Sequence, residues 1–227
     1  PPADDEAMLV GTAKALGAFA GSLVSARTPF DDFRDALARA DAAAMARYPE
    51  DARRGLQLFV GRGRCHLCHA GPNFSHGEFG DIGAGFFVRP GVVDPGRHGG
   101  IRALQSSPYT LLSRHADEPG EAAVKTRHVQ LQHRNFGEFK VPSLRNVAQT
   151  APYLHDGRLA TLAGMVRHYV DIDLDRLHAD GERVLEPLHL TEGEQRDLLA
   201  FLRSLDDPAA RQWQPLPLAP CQDASTG

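Results

Sequence analysis

Near the start of the chain, apolar residues recur every three or four positions. Leu9, Ala13, Leu16, Ala20 and Val24 fall on one face of a helix predicted over residues 8–24, with Asp4 or Asp5 placed to cap it and Pro29 beyond its end. The same period in Phe33, Leu37, Ala40 and Ala44 predicts a second helix over about 32–47, stopped by Pro49. A third, over about 52–60, would bury Leu56 and Phe59. Residues 61–100 then hold 11 of the chain's 22 glycines, so they read as a loop region whose backbone turns tightly or approaches a flat group closely. Residues 101–140 show little periodicity, and 117–121 read as an exposed turn. Helical spacing returns with Leu162, Met165, Val166, Tyr169 and Val170 behind a capping Thr161. It returns again with Leu198, Leu202 and Leu205 behind the capping box Thr191 to Glu194. After Asp207 the chain reads as a Pro-rich tail. The predicted class is all-α, with long Gly-rich loops and little strand.

Composition narrows the function more than the fold. The 227 residues are 42% hydrophobic and carry 29 acidic against 25 basic side chains, a globular balance with a net charge of -4. No basic stripe suits a phosphate backbone and no apolar run reaches membrane-spanning length, so neither a nucleic-acid partner nor a membrane span is expected. Three cysteines cannot build a disulfide framework. The start, Pro1 to Asp5, has neither the basic nor the apolar region of a secretory signal, which fits a cytosolic, a processed or a longer protein.

Two cysteines carry the chemistry. Cys65-His66-Leu67-Cys68-His69 is C-x-x-C-H, in which two thiols form thioethers to a porphyrin and the adjacent imidazole ligates its iron. A zinc site would want a second Cys or His pair at ligand spacing, and a redox dithiol a βαβ context; neither is present in the sequence. Covalently bound haem c is the expected cofactor, with His69 as iron ligand. Cys221 lies alone in the tail, an unpaired thiol or a disulfide partner across chains.

With these residues stand further motifs: 54–59 before the haem signature, Ala70 to Phe74 directly after it, and 139–147, which includes Arg145. Thr150-Ala151-Pro152-Tyr153-Leu154-His155-Asp156-Gly157 follows. Over roughly residues 7–206 the chain resembles the C-terminal haem half of the bacterial dihaem cytochrome c peroxidase and MauG family. The resemblance implies a cytochrome c-like haem domain over 49–207. Helices in 1–48 would link to or pack on a first haem half, and 208–227 would form the tail.

The sixth iron ligand separates the branches of that family. The resemblance implies methionine in the peroxidases and tyrosine in MauG, and alignment on His155 puts Tyr169 at that place. A thioether favours ferrous iron, whereas a tyrosinate is a hard donor that favours ferric and higher states. On spacing alone, Tyr169 is equally a core tyrosine, and Met165, one turn earlier on the same face, is the rival ligand; water or a histidine also stays open. The resemblance further implies a calcium ion between two haems, held partly by the backbone carbonyls of Thr150 and Pro152. Arg145 is expected near a haem propionate or in a buried hydrogen-bond network.

One departure bears on function. Members of the family carry two C-x-x-C-H motifs and this chain carries one. The peroxide-cleaving first half would then be a separate chain, a proteolytic partner or a segment outside this sequence. The tryptophan that serves MauG as an exit to its protein substrate has no counterpart at Gly61 to Arg64, and the sole tryptophan is Trp213 in the tail. Two classes follow. The first is an enzyme, a MauG-like oxidase or a cytochrome c peroxidase, using hydrogen peroxide and a protein substrate or electron donor. The second is a monohaem electron carrier. The family and the c-type attachment imply the periplasm.

Overall fold

A glycine sets a close approach of two helices. In the computed structural model, which describes residues 4–85, 87–117, 120–174 and 185–208, α4 (Glu50–Val60) crosses α8 (Glu192–Arg203) at Gly55. A Cβ there would lie 1.9 Å from the Asp197 carbonyl oxygen and 2.8 Å from the Phe201 Cβ, so only glycine permits this spacing. Phe59, Leu198, Phe201, Leu202 and Leu205 fill the seam, and Val166 and Leu162 of α7 (Leu162–Val170) close it from the other side. The start signals of both later helices form as read. Thr161 accepts a hydrogen bond from the Gly164 N–H at 3.0 Å, and Thr191 with Glu194 makes a reciprocal capping box.

Helix α2 (Pro29–Ala38) joins the same core. Phe30 meets Phe74 and Phe201 edge-on at 5.2 and 5.7 Å, and Phe33 stacks on Tyr48 at 4.4 Å beside Ala52 of α4. The helix predicted over 32–47 is in fact two. It begins earlier, because Thr28 and Asp31 form a capping box around Pro29 at the first turn, and it breaks at Ala40, whose φ is 53°. The Asp41 side chain then accepts the Ala44 N–H at 2.9 Å and starts the short α3 (Ala42–Met45), a local bond that outcompetes continuation of the helix. Helix α1 (Asp5–Ser22) forms, capped by Asp4, but buries none of its residues, and Leu9, Leu16 and Phe19 stay exposed.

The middle of the chain carries more regular structure than its pattern suggests. Helices α5 (Gly96–Ser106) and α6 (Glu121–His128) occupy the stretch read as non-periodic and the end of the Gly-rich loop. In α5 only Ile101 is buried, so no stripe announces the helix. Tertiary contacts hold it instead: His98 stacks on Phe136 at 3.9 Å and Arg97 pairs with Glu138 at 2.9 Å. Strands β1 (Phe79–Asp81) and β4 (Glu138–Lys140) pair antiparallel with Gly80 opposite Phe139. Strands β2 (Phe87–Arg89) and β3 (Val92–Val93) form a second two-stranded sheet. The fold is mostly helical with little strand, as expected. No helix among the described residues is long and apolar enough to cross a membrane. Trp213 and Cys221 lie outside the described residues.

Candidate haem-binding site

The C-x-x-C-H segment is placed by the way α4 ends. The Gly63 N–H reaches back to the Leu58 carbonyl at 2.9 Å, and a Cβ on Gly63 would lie 2.6 Å from that oxygen, so the chain reverses tightly here. A single 3-10 turn over Cys65–Leu67 follows, and the Cys65 carbonyl accepts the N–H groups of Cys68 and His69 at 3.3 and 2.9 Å. That turn gathers both thiols and the imidazole. Cys65 and Cys68 are free thiols, not a disulfide, and Cys65 packs against the main core. Burial pushes the Cys65 thiol up to about 11 and moves Cys68 in the same direction. These surroundings are the reverse of those that activate a redox dithiol or favour a thiolate metal site.

His69 is prepared as a ligand. Its Nδ1–H donates to the Phe74 carbonyl at 2.9 Å, which fixes the ring and leaves Nε2 as the basic nitrogen. Burial, helped by nearby His76, lowers its pKa more than the hydrogen bonds to the Phe74 and Pro142 carbonyls raise it, so the imidazole is neutral at physiological pH. The accepting carbonyl belongs to a strained turn. Phe74 has a φ of 50° and Gly71 a φ of 75°. Residues 143–145 hold this turn from outside: the Ser143 hydroxyl and the Leu144 N–H donate to the Asn73 carbonyl at 2.8 and 3.3 Å, and the Arg145 Nε–H donates to the Pro72 carbonyl at 2.9 Å. Arg145 also forks onto Asp31 at 2.7 and 3.0 Å, so its guanidinium is occupied by protein partners in a buried network. Asp31 gave no signal in the reading of the sequence beyond the unrecognised capping pattern Thr28-x-x-Asp31.

Tyr169 lies near the end of α7, with its carbonyl accepting the Leu188 N–H at 3.0 Å. Burial raises the proton affinity of its phenol strongly, and Cys65 and Cys68 beside it add to the effect. Met165, one turn earlier, packs against the main core cluster. Thr150 and Pro152 are exposed and flank the cis Ala151–Pro152 peptide, after which Tyr153 turns back onto Leu159. Among the described residues no group of three or more His, Cys, Asp and Glu side chains could hold a metal ion by itself. The donor set at Cys65, Cys68 and His69, with neutral thiols and one oriented imidazole, fits haem c. A contact absent from any local sequence signal joins His155 Nε2 to Asp94 at 2.5 Å, with Phe139 stacked on the imidazole at 3.7 Å.

No family model matches the chain. It is 32% identical over 206 residues to the methylamine utilization protein MauG of Methylorubrum extorquens, covering 89% of this chain and 46% of that protein. To the cytochrome-c peroxidase IdrP1 of Denitromonas iodatirespirans it is 35% identical over 217 residues, covering 89% of this chain and 54% of the relative. Among solved structures, a MauG-like protein associated with microbial copper homeostasis shares the fold with a TM-score of 0.52 and 23% identity, over 80% of this chain and 52% of that one. The chain therefore spans about half the length of the curated relatives it matches.

Proposed function

Since the chain belongs to the bacterial dihaem cytochrome c peroxidase and MauG family, we propose that it forms the second-haem half of a MauG-like oxidoreductase. In this reading a first haem half cleaves hydrogen peroxide, and the present half stores or relays the oxidising equivalents toward a protein substrate or another electron donor. The observation that carries it is an oriented His69 together with a half-buried Tyr169 phenol whose proton affinity is raised by desolvation and by nearby Cys65 and Cys68.

Cys65 and Cys68 would anchor the haem as thioethers, and His69 Nε2 and the Tyr169 oxygen would hold its iron. When bound, the group supplies iron that changes oxidation state, and a phenolate donor favours the higher states. The residues do the rest. Phe74 keeps His69 in one tautomer. Phe59, Phe74 and Leu198 belong to the buried apolar cluster against which Cys65 packs. The Tyr169 phenol, whose proton affinity burial raises, releases its proton only where a cationic centre faces the oxygen. We also assign the backbone carbonyls of Thr150 and Pro152 to a calcium ion shared with the first half, and the exposed apolar side chains of α1, Leu9, Leu16 and Phe19 among them, to contact with that half. The chemistry of c-type attachment points to the periplasm.

Relatives named cytochrome-c peroxidase favour a second reading, peroxide reduction with Met165 as the sixth ligand. The ligand separates the two. Tyr169→Phe should abolish the ferric spectrum of a phenolate-ligated haem and raise the reduction potential, whereas Met165→Leu should change neither. A spectrum indifferent to Tyr169→Phe and sensitive to Met165→Leu would overturn the MauG-like assignment. Intact-mass analysis under denaturing conditions should find one haem on this chain and a second on a copurifying polypeptide or a longer form of the protein. One haem and no second haem-bearing segment would reduce the protein to an electron carrier.

A further inference from the structure

We propose that Asp31, at the start of α2, is a positioning residue for His69, acting through Arg145 and the 72–74 turn. The inference rests on the reading of His69 as an iron ligand. Each link is a direct contact. Asp31 is only 6% exposed, and its carboxylate takes both arms of the Arg145 fork at 2.7 and 3.0 Å. The Thr28 N–H and hydroxyl also donate to Asp31, both at 3.0 Å, and Arg34 reaches it from the surface at 3.3 Å. Arg145 in turn donates through Nε to the Pro72 carbonyl and lies 5.4 Å over the Phe74 ring. Two residues on from Pro72, the Phe74 carbonyl accepts the His69 Nδ1–H.

Three physical points make this more than packing. Phe74 sits at positive φ, a region a phenylalanine avoids, and besides the turn's own bonds to Gly71 and Ala70 the contacts from residues 143–145 hold it there with its carbonyl aimed at His69. A buried guanidinium is stable there only with its counter-charge, and Asp31 supplies it. The hydrogen bond to Nδ1 sets both the ring angle and the donor strength of Nε2, so loosening it is felt at the iron. Asp31 thus couples the first turn of α2 to a ligand 38 residues further along the chain.

The test uses the haem-loaded protein, read by potentiometric titration and by the paramagnetically shifted proton signals of the His69 ring. Asp31→Asn removes a buried negative charge, leaves Arg145 uncompensated and slackens the turn; all three disfavour ferric iron. The potential should rise and the His69 signals should move, with haem content unchanged. Arg34→Gln, which removes the surface contact to the same carboxylate together with the exposed pairing to Asp35 but leaves Arg145 in place, should leave both at wild-type values. If Asp31→Asn does not accumulate, Arg145→Lys keeps both charges but cannot span Asp31 and Pro72 together, and a smaller rise with moved His69 signals is expected from the slackened turn alone. Lowered thermal stability with wild-type potential and His69 signals, in whichever variant accumulates, would overturn the proposal and leave Asp31 a merely structural group. A wild-type protein with no haem on Cys65 and Cys68 would instead overturn the reading on which the proposal rests.

Discussion

At the scale of single residues, the site combines groups whose roles differ in how far they can be read from their neighbours in sequence. Cys65, Cys68 and His69 announce themselves because thioether attachment and axial ligation need those types within five positions. Asp31 does not, because the partner that gives it meaning is Arg145, 114 residues away. Its consequence is measurable. Burial alone would raise the Asp31 carboxyl, but hydrogen bonds from Arg145 and Thr28, with the charge of Arg145, outweigh this and hold it at about 2 against an ordinary 3.8. A depressed folded pKa means stability that is complete above the unfolded value and is lost as the pH falls through the folded one. Acid unfolding followed by circular dichroism should therefore show a stability loss between about pH 4 and pH 2. In Asp31→Asn that part of the pH dependence should be absent.

At the scale of elements, a local cap or an apolar stripe makes a helix legible, but neither fixes where it breaks. Helices α7 and α8 start where Thr161 and Thr191 cap them, because capping is a local bond between residues three apart. The break at Ala40 was hidden because the apolar period runs through it, and the Asp41 cap decides the matter. Helix α5 was hidden for the opposite reason, since Ile101 is its single buried residue and contacts with Phe136 and Glu138 stabilise it. The crossing of α4 and α8 yields a sharp prediction. Gly55→Ala drives a methyl group into the Asp197 carbonyl and Phe201, and overpacking of this kind costs about 1–3 kcal/mol. Thermal denaturation of the variant should show a lowered Tm and, because α4 delivers the chain into the C-x-x-C-H turn, a reduced yield of haem-loaded protein.

At the scale of the whole molecule, the described residues hold a main core, and the long helix α1 lies outside it. Phe201 and Leu205 are fully buried at the centre, while α1 buries nothing. The contrast predicts opposite responses to substitution. Phe201→Ala should destabilise the fold by about 3–5 kcal/mol in denaturant titration. Leu16→Glu, on a side chain 63% exposed, should change it by no more than about 0.5 kcal/mol. A large loss from Leu16→Glu would mean that α1 is held by the described fold after all, and that its apolar face is not available to a first haem half.

What the sequence by itself determined is the chemistry and the class: C-x-x-C-H, the helical periods around it and the motifs of a haem domain are local patterns, complete within a few turns of chain. Tertiary structure alone decided which side chains reach that chemistry. It brought Asp31 and Arg145 onto the turn behind His69, paired Asp94 with His155, and laid Tyr169 beside the two thiols. The physical reason is range. Caps, turns and amphipathic faces arise from bonds between neighbours, whereas a buried ion pair or an enclosed phenol depends on which distant segments the core brings together.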